Sequence, residues 1–277
     1  MLITGGSMGI GLACAEACLT AGARVTLCAR TDAPLQEAVA TLRAQGHSHV
    51  AGYVADVSER ADVDALLARA VELHGALDGL LHCAAILGPI GPVTDVEPDA
   101  WLETLRVNLF GTFLVARQVC RHMAARGGGR IVLLSGGGAA SPFPNYTAYA
   151  CSKAGVVRFA ETLAEEMRPF NIEVNALAPG FVATRMHAAT LMAGARAGQD
   201  YLDRTRRGLE SGGVPPSVAA GAAAFLLSDR VKGITGKFVS APHDGWDAWP
   251  QYLQAIQDTD IFTLRRIIPK DRGMDWQ

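Results

Sequence analysis

Apolar and polar positions along this chain fall into two rhythms. Short apolar runs read as strands, and longer stretches with apolar residues at every third or fourth position read as amphipathic helices. The strand-like runs cover residues 2–4, 23–30, 49–57, 77–86, 129–136, 172–180 and 236–241. Residues 23–30, "ARVTLCAR", lack interior charge, as a strand covered on both faces should. The helix-like stretches cover residues 12–22, 33–46, 59–75, 101–125, 149–167 and 216–227, with Gly22 and Gly46 as stops for the first two. Such alternation predicts an α/β chain: a Rossmann-type, doubly wound parallel sheet between two helical layers, in one domain over residues 1–277. Two segments break the rhythm. Residues 187–213 are polar and dotted with glycine, and residues 247–277 exceed what the sheet needs. The opening "LIT" is short against the usual five or six residues of a strand, so residues ahead of Met1 are expected.

Composition narrows the class. The 277 residues are 49% hydrophobic and 19% charged with a net charge of −2, which argues against a disordered chain and against a nucleic-acid partner. The six cysteines form neither a Cys-x-x-Cys pair nor a zinc spacing, so buried thiols of a reduced cytoplasmic protein are expected, with no metal. No apolar run has the length of a membrane span, and no signal peptide is legible.

"TGGSMGIG", Thr4 to Gly11, lies between the first strand and the first helix. Glycines there permit a tight turn and let phosphate oxygens approach backbone N–H groups at a helix N-terminus. Tyr149 and Lys153 are four apart on an expected helix and so share a face. A free tyrosine titrates near about 10, and a neighbouring ammonium lowers that value, so the pair reads as a proton donor and acceptor.

Together, Thr4-Gly5-x-x-x-Gly9-Ile10-Gly11, Asn108, Tyr149-x-x-x-Lys153 and Pro179-Gly180 resemble the compact branch of the short-chain dehydrogenase/reductase family, over residues 2–245. The resemblance implies a nicotinamide cofactor and hydride transfer to or from a carbonyl or alcohol. It implies cofactor contacts at Gly5, Ser7, Met8, Gly9, Ile10 and Gly11, at Asp56 and Val57 beside the adenine, and along Pro179, Gly180, Val182 and Thr184 beside the carboxamide. Tyr149 would be the acid/base, Lys153 would also hold the nicotinamide ribose, and Asn108 would anchor a water of a proton relay. The second strand ends in Arg30 rather than in an acid, which favours NADP(H) over NAD(H).

The sequence departs from the family at a serine that helps bind the substrate oxygen thirteen positions before the tyrosine. Gly136 stands there, and Ser135 is one residue short. A slip of one residue on a strand turns a side chain to the other face, so Ser135 serves only if a bulge at residues 136–138 re-aims it. Otherwise Ser141, a backbone N–H or a water supplies the contact. "HCAA" at residues 82–85 also departs, with His82 read as structural and Cys83 and Ala85 as altered packing.

Residues 187–213 are expected as a substrate lid. Arg185, Arg196, Arg204, Arg206 and Arg207, in or beside it, are either solvated surface or an anion-recognition set. The tail is expected across a subunit boundary or over the cleft, anchored by Trp246, Trp249 and Trp276. A small-molecule carbonyl or alcohol is the expected substrate, and a homo-oligomer, dimer or tetramer, the expected assembly. An NADP-binding protein with weak or no catalysis and a sugar-nucleotide-modifying relative stay open as alternatives.

Overall fold

The computed structural model describes residues 1–275. Seven parallel strands form one sheet in the order β3-β2-β1-β4-β5-β6-β7. They are β1 (Leu2–Thr4), β2 (Val25–Ala29), β3 (Val50–Val54), β4 (Gly79–His82), β5 (Gly129–Leu134), β6 (Ile172–Ala178) and β7 (Phe238–Ser240). All five residues of β2 are buried, as its uncharged sequence required. The strand order reverses between β1 and β4, where Thr4 pairs with His82. In open α/β sheets the crevice above such a switch point is where ligands bind.

Helices cover both faces. α1 (Gly9–Thr20), α2 (Asp32–Ala44) and α9 (Pro216–Leu226) enclose one core with Leu27, Leu81 and Val132. α3 (Arg60–His74), α5 (Gly111–Ala124) and α6 (Thr147–Met167) enclose the other with Leu80, Ile131 and Val174. Alternate residues of the central strands thus feed opposite cores, the signature of a sheet buried on both faces.

The expected helix over residues 101–125 is one rod with an interruption. α4 (Pro98–Leu105) passes through a π-helical turn (Arg106–Phe110) into α5. The segment expected as a lid is largely helical: it folds as α7 (Arg185–Ala193), a 3₁₀ turn (Gly194–Ala197) and α8 (Gln199–Glu210). Its polar composition hid a narrow buried edge, formed by Thr190, Leu202 and Thr205.

Of the two places expected for the tail, the cleft is not the one used: its described part packs on its own chain, along β7 and α6, and lines no part of the cavity that Tyr149 borders. Trp249 is buried and stacks on Phe262 at 4.8 Å, and the Phe238 N–H donates to the Phe262 carbonyl at 2.6 Å. Lys237 Nζ donates to the carbonyls of Thr259 and Ile261, and the Leu264 N–H to Glu161 at 2.6 Å. A short helix, α10 (Leu253–Gln257), lies within this strap. Trp246 donates its indole N–H to the Ala241 carbonyl at 2.9 Å, so two of the expected anchors are used within the chain. Trp276 lies outside the described residues. No helix among the described residues is long and apolar enough to cross a membrane.

Candidate active site

The glycine turn joins β1 to α1. Gly5 and Gly9 have φ of +66° and +54°, a region that side chains disfavour. A β-carbon on Gly5 would press on the Ala84 backbone at 2.8 Å, and one on Gly11 would collide with the Gly5 carbonyl. The turn therefore needs glycine for its close approach to β4 and to itself. Met8, extended, precedes α1, and no side chain caps the helix, so its first N–H groups face outward with the positive end of the dipole. Opposite them lies the loop after β6: Thr184 Cγ2 is 3.6 Å from where a Gly9 β-carbon would be. Val182 in that loop is buried and forms a bridge with Gly213.

Arg30 follows the last residue of β2, and Asp56 lies just past the end of β3. Their side chains stand 4.0 Å apart, with that of Arg30 62% exposed. Hydrogen bonds from the Ser58 hydroxyl and N–H outweigh burial and hold the Asp56 carboxyl below its usual range. Val57 is buried against Gly111.

A cavity of about 880 Å³ opens beside these loops. Ile10, Gly136, Tyr149, Pro179, Gly180, Val182 and Thr184 line it, so the loop after β6 and the expected tyrosine meet there with Ile10 alone of the expected glycine-turn contacts; Gly5, Ser7, Met8, Gly9, Gly11, Arg30, Asp56 and Val57 do not line it. Tyr149 sits on the first turn of α6 and is 9% exposed. Lys153, one turn on, is buried; its Nζ donates to the Leu134 carbonyl at 2.8 Å and lies 5.7 Å from the centre of the Tyr149 ring. Burial works on both groups. It pushes the phenol up, with Tyr201 adding to the effect, and brings the lysine down to about 8. The expected lowering of the Tyr149 pKa by its lysine does not appear; burial sets the direction.

Asn108 sits inside the π-helical turn and is fully buried. Its Oδ1 accepts from the Ile86 N–H at 2.8 Å, and its Nδ2 donates to the Ile86 carbonyl and to Ser152 Oγ, both at 2.9 Å. Ser152 Oγ in turn donates to the Tyr149 carbonyl at 2.7 Å. The asparagine side chain therefore ties the segment after β4 to the helix that carries the tyrosine. The Asn108 carbonyl accepts from the Thr112 hydroxyl at 2.6 Å.

Ser135 is not brought into the site. It is buried, its hydroxyl faces the Lys153 carbonyl at 3.4 Å, and it does not line the cavity. The strand ends in register with β6, Ser135 N–H donating to Leu177 at 2.8 Å, so no bulge turns the side chain around. Ser141 does line the cavity. His82 is enclosed, with Nδ1 2.9 Å from Thr4 Oγ1, as a structural histidine would be.

Sequence reasoning missed the aromatic wall. Phe143 stacks on Tyr146 at 4.3 Å, and Tyr201 meets both edge-on at 4.6 and 5.1 Å. Tyr146 is fully buried and donates to Thr190 Oγ1 at 3.0 Å, which joins the catalytic segment to α7. The signal was "PFPNY", aromatic residues beside prolines just before the Tyr149 turn. Of the five arginines, Arg204 lines the cavity, Arg196 packs over Gly91, and Arg206 pairs with Asp203 on the surface.

The family model for short chain dehydrogenases matches residues 1–193. Over 238 residues the chain is 37% identical to dehydrogenase/reductase SDR family member 4 of Sus scrofa, covering 86% of this chain and 84% of that one. Among solved structures, a variant of actinorhodin polyketide ketoreductase with NADPH superposes with a TM-score of 0.80 at 32% identity, covering 86% of this chain and 94% of the other. NAD⁺-bound xylitol dehydrogenase does so with 0.79 at 28% identity, covering 86% and 95%.

Proposed function

This chain belongs to the short-chain dehydrogenase/reductase family of NAD(P)-dependent oxidoreductases, and on that premise we propose that it reduces a ketone or aldehyde with NADPH, or oxidises a secondary alcohol with NADP⁺. The observation that carries the proposal is the Tyr149–Lys153 pair, phenol on the cavity wall and lysine buried behind it.

A nicotinamide dinucleotide fits the residues present. The uncapped start of α1 and the bare turn at Gly5, Gly9 and Gly11 suit a pyrophosphate. Asp56 and Val57 suit the adenine side, and Pro179, Gly180, Val182 and Thr184 the carboxamide side. When bound, the nicotinamide supplies or accepts the hydride. The chain's own residues handle the proton. In reduction, Tyr149 donates its phenolic proton to the carbonyl oxygen, and burial keeps that acid loaded at neutral pH. The Lys153 ammonium stabilises the negative charge left on the phenol oxygen. Asn108 holds Tyr149's helix to the segment after β4 and keeps the pair in place.

The relatives named above include one with NADPH and one with NAD⁺, so the cofactor choice is argued from Arg30. An exposed guanidinium at the end of β2, with no acid at that position, suits a bidentate contact to a 2′-phosphate. We read residues 1–277 as one domain whose segment 187–213 walls the substrate side, and the assembly as a dimer or tetramer. Exposed Leu102, Phe110 and Phe113 on the α4–α5 rod support a contact between copies. The thiols, free among the described residues, suit a cytoplasmic setting.

A panel of ketones, aldehydes and secondary alcohols with both cofactors tests the reaction. Tyr149→Phe is expected to lower kcat by about 10²–10⁴ and to leave NADPH binding within a few-fold. Turnover by the variant close to that of wild type would remove Tyr149 from the acid/base role.

A further inference from the structure

Gly136 occupies the position where the family carries its serine, and the structure shows what the exchange does to Tyr149. A β-carbon built on Gly136 would lie 2.5 Å from the Tyr149 phenolic oxygen, 3.2 Å from Cζ and 3.4 Å from Cε1. The phenol therefore fills the space that any side chain at position 136 would need. Tyr149 shares its buried cluster with Tyr146 and Ala197, and Phe143 and Tyr201 pack against that cluster. Tyr149 also borders the cavity, towards which a displaced phenol would move.

We infer that Gly136 is a positioning residue: its bare backbone is the seat of the Tyr149 phenol, and a serine at position 136 would drive the phenol out of that seat instead of completing the site. The glycine is then a matched half of a pair with Tyr149, not a lost helper. The site oxygen-binding duty falls on groups outside position 136, among which Ser141 is a hydroxyl that lines the same cavity. The inference rests on the reading of Tyr149 as acid/base only for its kinetic consequence; the seat itself is a packing relation.

The test is a double-mutant cycle on the purified full chain, with Gly136→Ala, Gly136→Ser, Tyr149→Phe and the two doubles. Overpacking predicts that Gly136→Ala lowers the melting temperature by about 2–10 °C. Tyr149→Phe removes the atom in conflict, so in that background the same glycine substitution should cost less than half as much, a coupling that a merely local glycine effect would not produce. In the kinetic arm, Gly136→Ala and Gly136→Ser should each lower kcat at least about tenfold, since a displaced acid misses its reacting atom, with NADPH affinity unchanged within a few-fold. Additive melting shifts overturn the seat. A Gly136→Ser variant with kcat equal to or above wild type overturns the positioning role. If wild type turns over no carbonyl or alcohol, the proposed reaction fails, and the melting cycle still decides the seat.

Discussion

Arg30 holds its guanidinium 4.0 Å from Asp56 at the end of β2, and most of its surface is free. A pair that open contributes little to stability, so Arg30→Ala should leave the fold intact. A lost charge-assisted phosphate contact is worth about 1.5–3 kcal/mol, so NADPH affinity should fall roughly tenfold to a hundredfold while NADH affinity barely moves. Fluorescence titration with both cofactors checks this; equal losses would show that Arg30 does not read the 2′-phosphate. Arg30 and the glycine turn were legible in sequence because they depend on spacing along one β-α unit. The protonation of Tyr149 was not. Sequence shows that a lysine is one turn away, but only the packed structure shows how deeply the phenol is buried. Ser135 was legible as a problem, and its resolution needed the strand register.

At the scale of elements, the π-helical turn at Arg106–Phe110 puts one extra residue into a helix and aims Asn108 at Ile86 and Ser152. Asn108→Ala would leave the Ile86 N–H and carbonyl without their buried partner, at about 1–3 kcal/mol for each group. The expected outcome is a lower melting temperature together with a loss of turnover. Asn108→Asp, which retains the acceptor for the Ile86 N–H, should fall between. Calorimetry with a rate assay on the same samples checks both; an unchanged melting temperature for Asn108→Ala would remove the brace. Apolar periodicity located the rod at residues 101–125 but could not locate an extra residue within it. Periodicity also gave no helix for α7 and α8, whose few buried residues lie among arginines, aspartates and glycines that break the apolar rhythm.

Across the molecule, acid should act through buried neutral histidines. Burial, with Lys153 second, brings His82 down to about 3, and burial brings His74 down to about 4. An unfolded histidine titrates near about 6.5. Below that pH the unfolded chain takes up protons that the folded chain refuses, so stability is lost as pH falls from about 6.5 towards 3. For fully buried His82 the loss is on the order of a few kcal/mol. His82→Asn, which keeps a polar partner for Thr4, should flatten that decline. Urea unfolding at pH 7 and pH 4.5 measures it, and an equal drop in both proteins would clear His82 of the effect. The parallel sheet with helices on both faces was legible because strand–helix alternation leaves few topologies open.

The strap that the C-terminal residues lay along β7 bears on how this protein behaves in a crowd. β7 is the last strand of an open sheet, and such a strand offers its unpaired N–H and C=O groups as a template to any other chain. The carbonyl of Phe262 meets the N–H of Phe238, and the Lys237 ammonium gathers the carbonyls of Thr259 and Ile261 over the same border. With that border partly covered, a molecule meeting the β7 edge finds less of a ladder to extend. A chain shortened before Thr259 would keep the residues that line its cleft, lose Phe262 and Leu264 from the margins of its two cores, and present a raw selvedge prone to clumping.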